Sequence, residues 1–246
     1  MEPIFLSIVI PIYNEEKRIA VTLEKIISYG ESLPYRYELI LVMDGCKDRS
    51  IEVSRSVLQQ NAFRLKNSLS HILETIENYG KGFSVRSGFK LARGEYVLFS
   101  DADLSTPIEE VEKLLVHLKG GYDIAIGSRS MEGSEVVIRQ NVLRQSMGKA
   151  FNLLVRMVMR MPFKDTQCGF KCFNRQAVEK IFPRLTVNGF TFDVEILWLA
   201  KKLGFRTKEV PIRWVNSPDS KVHVIKHSID MLVTLFSISR LHVNAK

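Results

Sequence analysis

The stretch Tyr96-Val-Leu-Phe-Ser-Asp101-Ala-Asp103-Leu-Ser-Thr-Pro107 is an apolar run that stops at two carboxylates. Its first five residues are almost continuously hydrophobic, which is typical of a strand covered on both faces of a parallel sheet. Pro107 suits the first position of a helix. The sequence therefore predicts a strand over Tyr96–Ser100 and a helix over Pro107–Leu118, with Asp101 and Asp103 on the loop between them.

The same alternation of strand and helix occurs along the rest of the chain. Further strands are predicted at Leu6–Ile12, Glu38–Met43, Leu69–Leu73, Tyr122–Ile126 and Thr207–Trp214. Further helices are predicted at Glu15–Ile27, Arg49–Gln59, Gly82–Leu91, Val142–Met161, Phe192–Leu203 and Val222–Leu241. This order predicts an α/β fold with a mostly parallel, twisted sheet flanked by helices. No linker is visible, so residues 1–246 are expected to form a single domain that ends in amphipathic helices.

The chain is basic, with 35 Lys and Arg against 27 Asp and Glu and a formal net charge of +8. Such a charge suits phosphorylated ligands, anionic membranes or nucleic acid, and it does not choose among them. The basic residues do not form one block, so no nucleic-acid partner is expected. Three cysteines in 246 residues are too few for a disulfide framework.

The expected location is the cytoplasm, peripheral on the cytoplasmic face of a membrane. The start Met1-Glu2-Pro3 lacks the basic segment and cleavage site of a secretory signal. No apolar run reaches the roughly 18 to 20 residues that a spanning helix needs. A membrane contact is favoured by Leu143–Met161, where large apolar residues alternate with basic ones, and by the last helix. A core helix with a basic edge remains an alternative for Leu143–Met161.

Asp101 and Asp103 are candidate ligands of a hard cation such as Mg²⁺ or Mn²⁺, which binds carboxylate oxygens and takes further ligands from phosphates. Ligands of parallel sheets collect beyond the carboxyl ends of the strands, where both residues are predicted to lie. Asp also caps helices, so the pair alone is a weak signal. A phosphatase with a nucleophilic Asp is a competing interpretation, but such a motif normally closes the first strand.

Two other strand ends carry polar residues that suit a nucleotide. Pro11-Ile-Tyr13-Asn14-Glu15 offers an aromatic ring and a carboxylate to a nucleoside, and Asp44-Gly-Cys-Lys-Asp48 closes the second strand. Asn14 and Asp48 are alternatively helix caps. In Gly80-Lys81-Gly82 the glycines let the backbone approach a phosphate, and the lysine offsets its charge.

Taken in order, these motifs and Gly127-Ser128-Arg129 resemble glycosyltransferase family 2 with its GT-A fold. Asp165-Thr-Gln-Cys-Gly-Phe-Lys171, Gly189-Phe-Thr-Phe-Asp193-Val-Glu195 and Val210-Pro-Ile-Arg-Trp214 followed by Ser220-Lys221 are similar to the polyprenyl-phosphate glycosyltransferases within it. The resemblance covers roughly residues 5 to 225. It implies an inverting transfer of a hexose from a nucleotide diphosphate sugar to a polyprenyl or dolichyl phosphate.

UDP-glucose is the favoured donor, because Ser105 occupies a position where mannosyltransferases tend to have glutamine. GDP-mannose, or another acceptor such as a glycan, is the alternative within the family. A non-catalytic scaffold is the alternative outside it. Two positions depart from the family pattern. Met43 stands where many members have an acidic residue before Asp44, and Ser220 lacks the glycine that usually precedes it. These departures concern base recognition and loop closure.

The resemblance also assigns roles to residues. Residues 1–127 would form the half that binds the nucleotide sugar and 128–246 the half that faces the acceptor and membrane. Those implied to face the nucleoside are Pro11, Tyr13, Glu15 and Asp44. Those implied to contact the diphosphate, the metal or other phosphates are Lys81, Asp101, Asp103, Arg129, Arg144 and Lys221. Asp165 is the candidate that positions or deprotonates the acceptor, with Asp193 and Glu195 behind it. Asp193 is alternatively a helix cap, and Glu195 is alternatively a salt-bridged structural carboxylate.

Overall fold

The computed structural model describes residues 3–65, 68–138, 152–215 and 224–242. The strands are β1 (Leu6–Ile12), β2 (Tyr37–Asp44), β3 (Ser68–Thr75), β4 (Tyr96–Ser100), β5 (Ile124–Ser128), β6 (Glu135–Ile138), β7 (Phe170–Asn174), β8 (Thr207–Pro211) and β9 (Arg213–Val215). The helices are α1 (Ile19–Glu31), α2 (Ser50–Gln60), α3 (Lys81–Leu91), α4 (Val111–Lys119), α5 (152–159), α6 (Arg175–Ile181), α7 (Phe192–Lys202) and α8 (Val224–Leu241). Short 3-10 turns occupy Ile108–Glu110 and Phe182–Arg184.

Seven strands form one sheet in the order β3-β2-β1-β4-β7-β5-β8. All its pairs are parallel except those of β7, which runs antiparallel to both neighbours. A second, two-stranded parallel sheet joins β6 to β9. The predicted α/β fold with a mostly parallel sheet is confirmed. The mostly apolar pattern of β1, β2, β4 and β5 has the predicted cause, since these strands are buried on both faces.

Helices cover both faces of the sheet and bury a separate core on each. On one face α1, α2 and α4 pack through side chains such as Leu23, Val57 and Leu115. On the other, α3, α5, α6, α7 and α8 share a core that includes Val85 and Leu235. Burial of apolar surface on this scale is the main stabilising contribution to such a fold. It fixes the positions of the strand ends, from which the polar residues of the site project.

Several boundaries differ from the sequence prediction. The segment Asp165–Arg175, where the sequence predicted neither a strand nor a helix, contains β7, and α6 follows that strand directly. The strand predicted over Thr207–Trp214 is divided at Ile212, whose backbone N–H donates to Ser128 O and whose carbonyl accepts from Glu135 N, linking the two sheets. The first helix begins at Ile19 rather than Glu15, because residues 13–18 form the loop that follows β1.

The described part of the chain contains no helix long and apolar enough to cross a membrane. Residues 142–151 of the predicted amphipathic helix lie outside the described residues, and 152–159 is helical. In that part Val155 and Met159 are buried, whereas Leu153 and Met157 are exposed. One side of this helix therefore packs in the core, as the alternative interpretation had it, and contact of its exposed apolar residues with a membrane stays a prediction.

Candidate active site

A cavity of about 460 Å³ lies at the carboxyl ends of β1, β2 and β4. These strands are parallel neighbours, so the loops that follow them meet at one edge of the sheet. The volume is within the range of about 300 to 1,000 Å³ that is usual for small-molecule sites. Its wall is formed by Pro11, Ile12, Tyr13, Glu15, Arg18, Asp44, Asn78, Gly80, Lys81, Ser84, Asp101, Ala102, Asp103, Gly189 and Phe190. Seven residues that the sequence predicted for the donor and metal are among them.

The carboxylates of Asp101 and Asp103 share the wall of this cavity. The backbone N–H of Asp101 donates to Gly169 O at 3.2 Å, and Asp103 Oδ1 accepts from Ser105 N at 2.9 Å. Burial and the neighbouring charge of Asp101 raise the pKa of Asp103 above its ordinary value. Leu104 follows in the left-handed region, with φ of 43°, as part of a tight turn. The geometry thus concentrates negative charge at the end of β4.

Lys81, the first residue of α3, supplies the positive charge opposite this pair. Its Nζ lies 2.6 Å from Asp101 Oδ1. Burial alone would lower the pKa of Lys81, but the carboxylates of Asp101, Asp193 and Asp103 outweigh it and raise the pKa. The lysine is therefore a firmly charged ammonium group at neutral pH.

The glycines beside Lys81 have a packing role in the structure, and their predicted contact with a phosphate stays a prediction. The N–H groups of Gly82 and Phe83 donate to Asn188 O at 2.7 and 3.3 Å. A Cβ at Gly80 or Gly82 would collide with backbone atoms of Asn188 or Val187. These glycines therefore let the segment before α7 pack on the start of α3, and this packing brings Gly189 and Phe190 to the cavity wall.

Tyr13 and Asp44, which were predicted to face a nucleoside, both lie on the cavity wall. Tyr13 is 39% exposed at the rim, where its ring is accessible for stacking. Asp44 is buried, and its two oxygens accept from Tyr79 N at 2.9 Å and Gly80 N at 2.8 Å. Asp44 therefore fixes the loop before α3, and a contact with a nucleoside remains a prediction for both residues.

The loop after β1 is held by polar contacts that decide between the predicted roles. Asp48 Oδ1 accepts from Ser50 N at 3.0 Å and so holds the first residue of α2, but the N-cap position itself is Arg49 and not Asp48 as predicted. Asn14 is not a helix cap: it has φ of 55°, and its Oδ1 accepts from Lys47 N at 2.7 Å. Glu15 forms an ion pair with Arg18, which places that arginine on the cavity wall.

Arg129 and Asp165 form a bidentate ion pair outside the residues that line the cavity. Arg129 Nε and Nη2 donate to the two Asp165 oxygens at 2.7 and 2.9 Å, and the Arg129 backbone N–H adds a bond of 3.1 Å. Asp165 is 1% exposed, whereas the Arg129 side chain is 32% exposed. Burial by itself would raise the pKa of Asp165, but Arg129 outweighs it and lowers the pKa.

Two acidic residues of α7, Asp193 and Glu195, are buried and form polar contacts in the core. Asp193 Oδ1 lies 2.5 Å from Nζ of Lys171, and both side chains are buried. Burial raises the pKa of Asp193 against the opposing effect of Lys171. Glu195 accepts from Thr186 N at 3.0 Å and lies 2.6 Å from Nε2 of His242. Glu195 is therefore a structural carboxylate, as its alternative interpretation had it, and Asp193 is an ion-paired group rather than a cap.

Two predicted phosphate contacts, Arg144 and Lys221, lie outside the described residues. The sequence interpretation missed Arg18 and gave no role to Phe190 or Lys171. The signal for Arg18 was available, because a basic residue three positions after Glu15 suits an ion pair in a helical turn. No local signal marks Phe190, which reaches the cavity through packing of distant segments.

The carboxylate pair fits a divalent cation. The described residues contain no group of three or more His, Cys, Asp or Glu side chains suited to a metal, but Mg²⁺ and Mn²⁺ sites at phosphates often use only one or two carboxylates. Asp101 and Asp103 are both hard oxygen donors on one cavity. Burial and repulsion from Asp101 raise the pKa of Asp103, and a cation held by both carboxylates would relieve that repulsion.

Solved structures show the class of fold. Glucosyl-3-phosphoglycerate synthase from Mycobacterium tuberculosis in complex with Mn²⁺, UDP-glucose and phosphoglyceric acid aligns with a TM-score of 0.67 at 14% identity, covering 96% of this chain and 79% of that one. Its complex with UDP aligns with a TM-score of 0.66 at 16% identity, covering 95% and 79%. At such identities the likeness concerns the fold, which is of the GT-A type.

The sequence comparisons give the family. Residues 7–182 match the profile of Glycosyl transferase family 2. Dolichyl-phosphate beta-glucosyltransferase of Saccharomyces cerevisiae is 39% identical over 250 residues, covering 96% of this chain and 75% of the relative. The human protein of the same name is 34% identical over 228 residues, covering 88% and 69%. The chain belongs to glycosyltransferase family 2, which confirms the predicted family and enzyme class.

Proposed function

We propose that the protein transfers glucose from UDP-glucose to dolichyl phosphate with inversion at the anomeric carbon. The observation that carries the proposal is the cavity itself. It brings an exposed aromatic ring, a lysine and a carboxylate pair to one edge of the sheet, and these are the groups that a nucleoside, a diphosphate and its metal need. The shared name of relatives that align over most of both chains supports this donor and acceptor.

The donor would bind with its base near Tyr13 and its diphosphate near Lys81, Asp101 and Asp103. The two aspartates would hold a Mg²⁺ or Mn²⁺ ion, which would neutralise the charge that develops on the departing diphosphate. Lys81 adds a fixed positive charge in the same cavity. Charge stabilisation that is already in place before the reaction is usually the largest contribution to catalysis of this kind.

The acceptor phosphate would supply the attacking oxygen. Its second pKa is near 6, so it is largely ionised at neutral pH and needs no strong general base. A bond forms between this oxygen and the anomeric carbon, while the bond from that carbon to the UDP oxygen breaks and the electron pair leaves with UDP. The protein's main task is to align the two substrates.

Arg129 and Asp165 act on the acceptor side in this proposal. Asp165 has both oxygens engaged by Arg129 and its pKa is lowered, so it positions the guanidinium instead of accepting a proton. Arg129 has five N–H donors, and Asp165 receives two from the guanidinium, which leaves others for a phosphate. Arg144 and Lys221 are proposed as further phosphate contacts.

Two helix surfaces would meet the membrane that holds the lipid. On α5 the exposed Leu153 and Met157 lie beside the exposed Arg156 and Arg160. On α8 Val233 is 67% exposed and Phe236 58% exposed. Apolar side chains with basic neighbours suit the interface of a membrane with anionic lipids. We propose a peripheral contact with the cytoplasmic leaflet through these surfaces.

Purified protein with Mg²⁺ or Mn²⁺, a polyprenyl phosphate and radiolabelled UDP-glucose, UDP-galactose or GDP-mannose tests the donor. We expect label in the organic phase from UDP-glucose only, and none with the Asp103→Asn variant. Equal or greater transfer from GDP-mannose would overturn the assignment of the sugar. Transfer that survives Asp103→Asn would overturn the proposed role of the carboxylate pair.

A further inference from the structure

Lys81 occupies a place that a metal ion would need. Its Nζ is 2.6 Å from Oδ1 of Asp101, one of the two carboxylates proposed to hold the cation. On its other side the Asp101 carboxylate lies directly against Gly169, where even a Cβ would overlap it. The ammonium group and a metal therefore compete for the same carboxylate.

Acidic and aromatic groups surround the ammonium group of Lys81. Asp101, Asp193 and Asp103 all act on its ammonium group, while Asp193 is itself paired with the buried Lys171 at 2.5 Å. Lys81 sits 5.3 Å from the centroid of the Phe99 ring, which favours a cation on its face. A divalent cation at the aspartates would thus meet a second positive charge within a few ångströms, where repulsion is strong in a partly buried site.

We propose that Lys81 is a resident counter-ion of Asp101 that opposes metal binding until the diphosphate of the donor arrives. The ammonium group of Lys81 then turns from Asp101 to the oxygens of the diphosphate. Asp101 is thereby free to bind the metal. Metal and donor therefore bind as a unit. This inference rests on the proposed function, because it needs a metal at Asp101 and Asp103 and a diphosphate donor.

The proposal predicts a gain of metal affinity on loss of the lysine. Without nucleotide, Lys81→Met should bind Mn²⁺ roughly 10- to 100-fold more tightly than the natural protein, which is the usual range of coupling between two sites. Lys90→Met is the matched control, because Lys90 lies on the same helix, is exposed and carries the same charge. Its Mn²⁺ affinity should equal that of the natural protein.

The experiment measures free Mn²⁺ by electron paramagnetic resonance during titration of each protein at pH 7.5, with and without UDP. Lys81→Gln, a polar replacement, is run beside Lys81→Met, and the natural protein is titrated with uridine as well as UDP. We expect both Lys81 variants to bind Mn²⁺ tightly without nucleotide. In the natural protein UDP should strengthen Mn²⁺ binding and uridine, which lacks the diphosphate, should not.

Two results would overturn the inference, and they are distinguishable from failure of the proposed function. If the Lys81 variants bind Mn²⁺ no more tightly than Lys90→Met, while the natural protein binds it with UDP, the metal site stands and Lys81 is not its competitor. Tight binding of Mn²⁺ to the natural protein with uridine in place of UDP would likewise show that Lys81 does not compete with the metal. This second test can be made even if both Lys81 variants fail to fold. If no protein binds Mn²⁺ with UDP, the proposed metal site itself is wrong.

Discussion

Replacing Asp165 by Asn should destabilise the fold through the buried pair with Arg129. The change keeps the shape but removes the charge that receives two guanidinium donors at 2.7 and 2.9 Å. Loss of one partner of a buried ion pair costs about 3 to 5 kcal/mol. Arg129 is 32% exposed, so water can solvate it in part, and we expect about 3 kcal/mol. For a chain of this size that loss lowers Tm by roughly 6 to 12 °C.

The pH dependence of this loss tests its cause. The pKa of Asp165 is lower in the folded state than in the unfolded chain, because Arg129 outweighs burial. Its contribution to stability is therefore complete above the unfolded pKa of about 3.9 and disappears as the pH falls through the folded value. Urea unfolding of both proteins should show a constant difference at pH 7 and pH 5, and a smaller one below pH 4. A difference under about 1 kcal/mol at pH 7, or one that does not shrink in acid, would refute the reasoning.

Three further predictions concern the donor site and the membrane contact. Asp103→Asn should reduce transfer on the order of 1,000-fold, because metal stabilisation of charge is worth several kcal/mol. Its Tm should stay equal or rise at pH 7, since burial and Asp101 disfavour the charged form of Asp103; a clear fall in Tm would contradict this. Glu195→Gln should lower the free energy of unfolding by about 2 to 3 kcal/mol, because it weakens hydrogen bonds to a buried charge. It should also raise the KM for UDP-glucose more than it lowers kcat, since the segment after Thr186 reaches the cavity. An unchanged KM would exclude a link between Glu195 and the cavity. Phe236→Ser should weaken flotation with anionic vesicles severalfold while transfer to a short, water-soluble prenyl phosphate stays unchanged; equal flotation would remove α8 from the proposed membrane surface.

The sequence predicted the elements whose signals are local. The apolar runs of β1, β2 and β4 can be recognised in the sequence because both faces of a central parallel strand are buried. The polar residues of the donor cavity follow from the same rule, since they come directly after those strands. For this half of the chain, periodicity and strand order were sufficient to place the candidate site.

The second half depends on contacts between distant segments. β7 has only five residues of mixed polarity, and its buried Lys171 does not suggest a core strand in the sequence. The lysine is tolerated there because Asp193 forms an ion pair with it. The pairing of Arg129 with Asp165 spans 36 positions, and that of Glu195 with His242 spans 47. Such pairs leave no periodic signal. The role of Gly80 and Gly82 was likewise hidden, because the backbone they accommodate lies more than 100 residues away.

The central claim, glucose transfer to a lipid phosphate, is tested most directly by competition among acceptors. Natural protein, Mn²⁺ and radiolabelled UDP-glucose are incubated with equal amounts of dolichyl phosphate, 3-phosphoglycerate and a glycan acceptor, and the labelled products are separated. We expect nearly all label to enter the lipid as a β-linked glucosyl phosphate. Label mainly in 3-phosphoglycerate or in the glycan, or an α-linked lipid product, would contradict it.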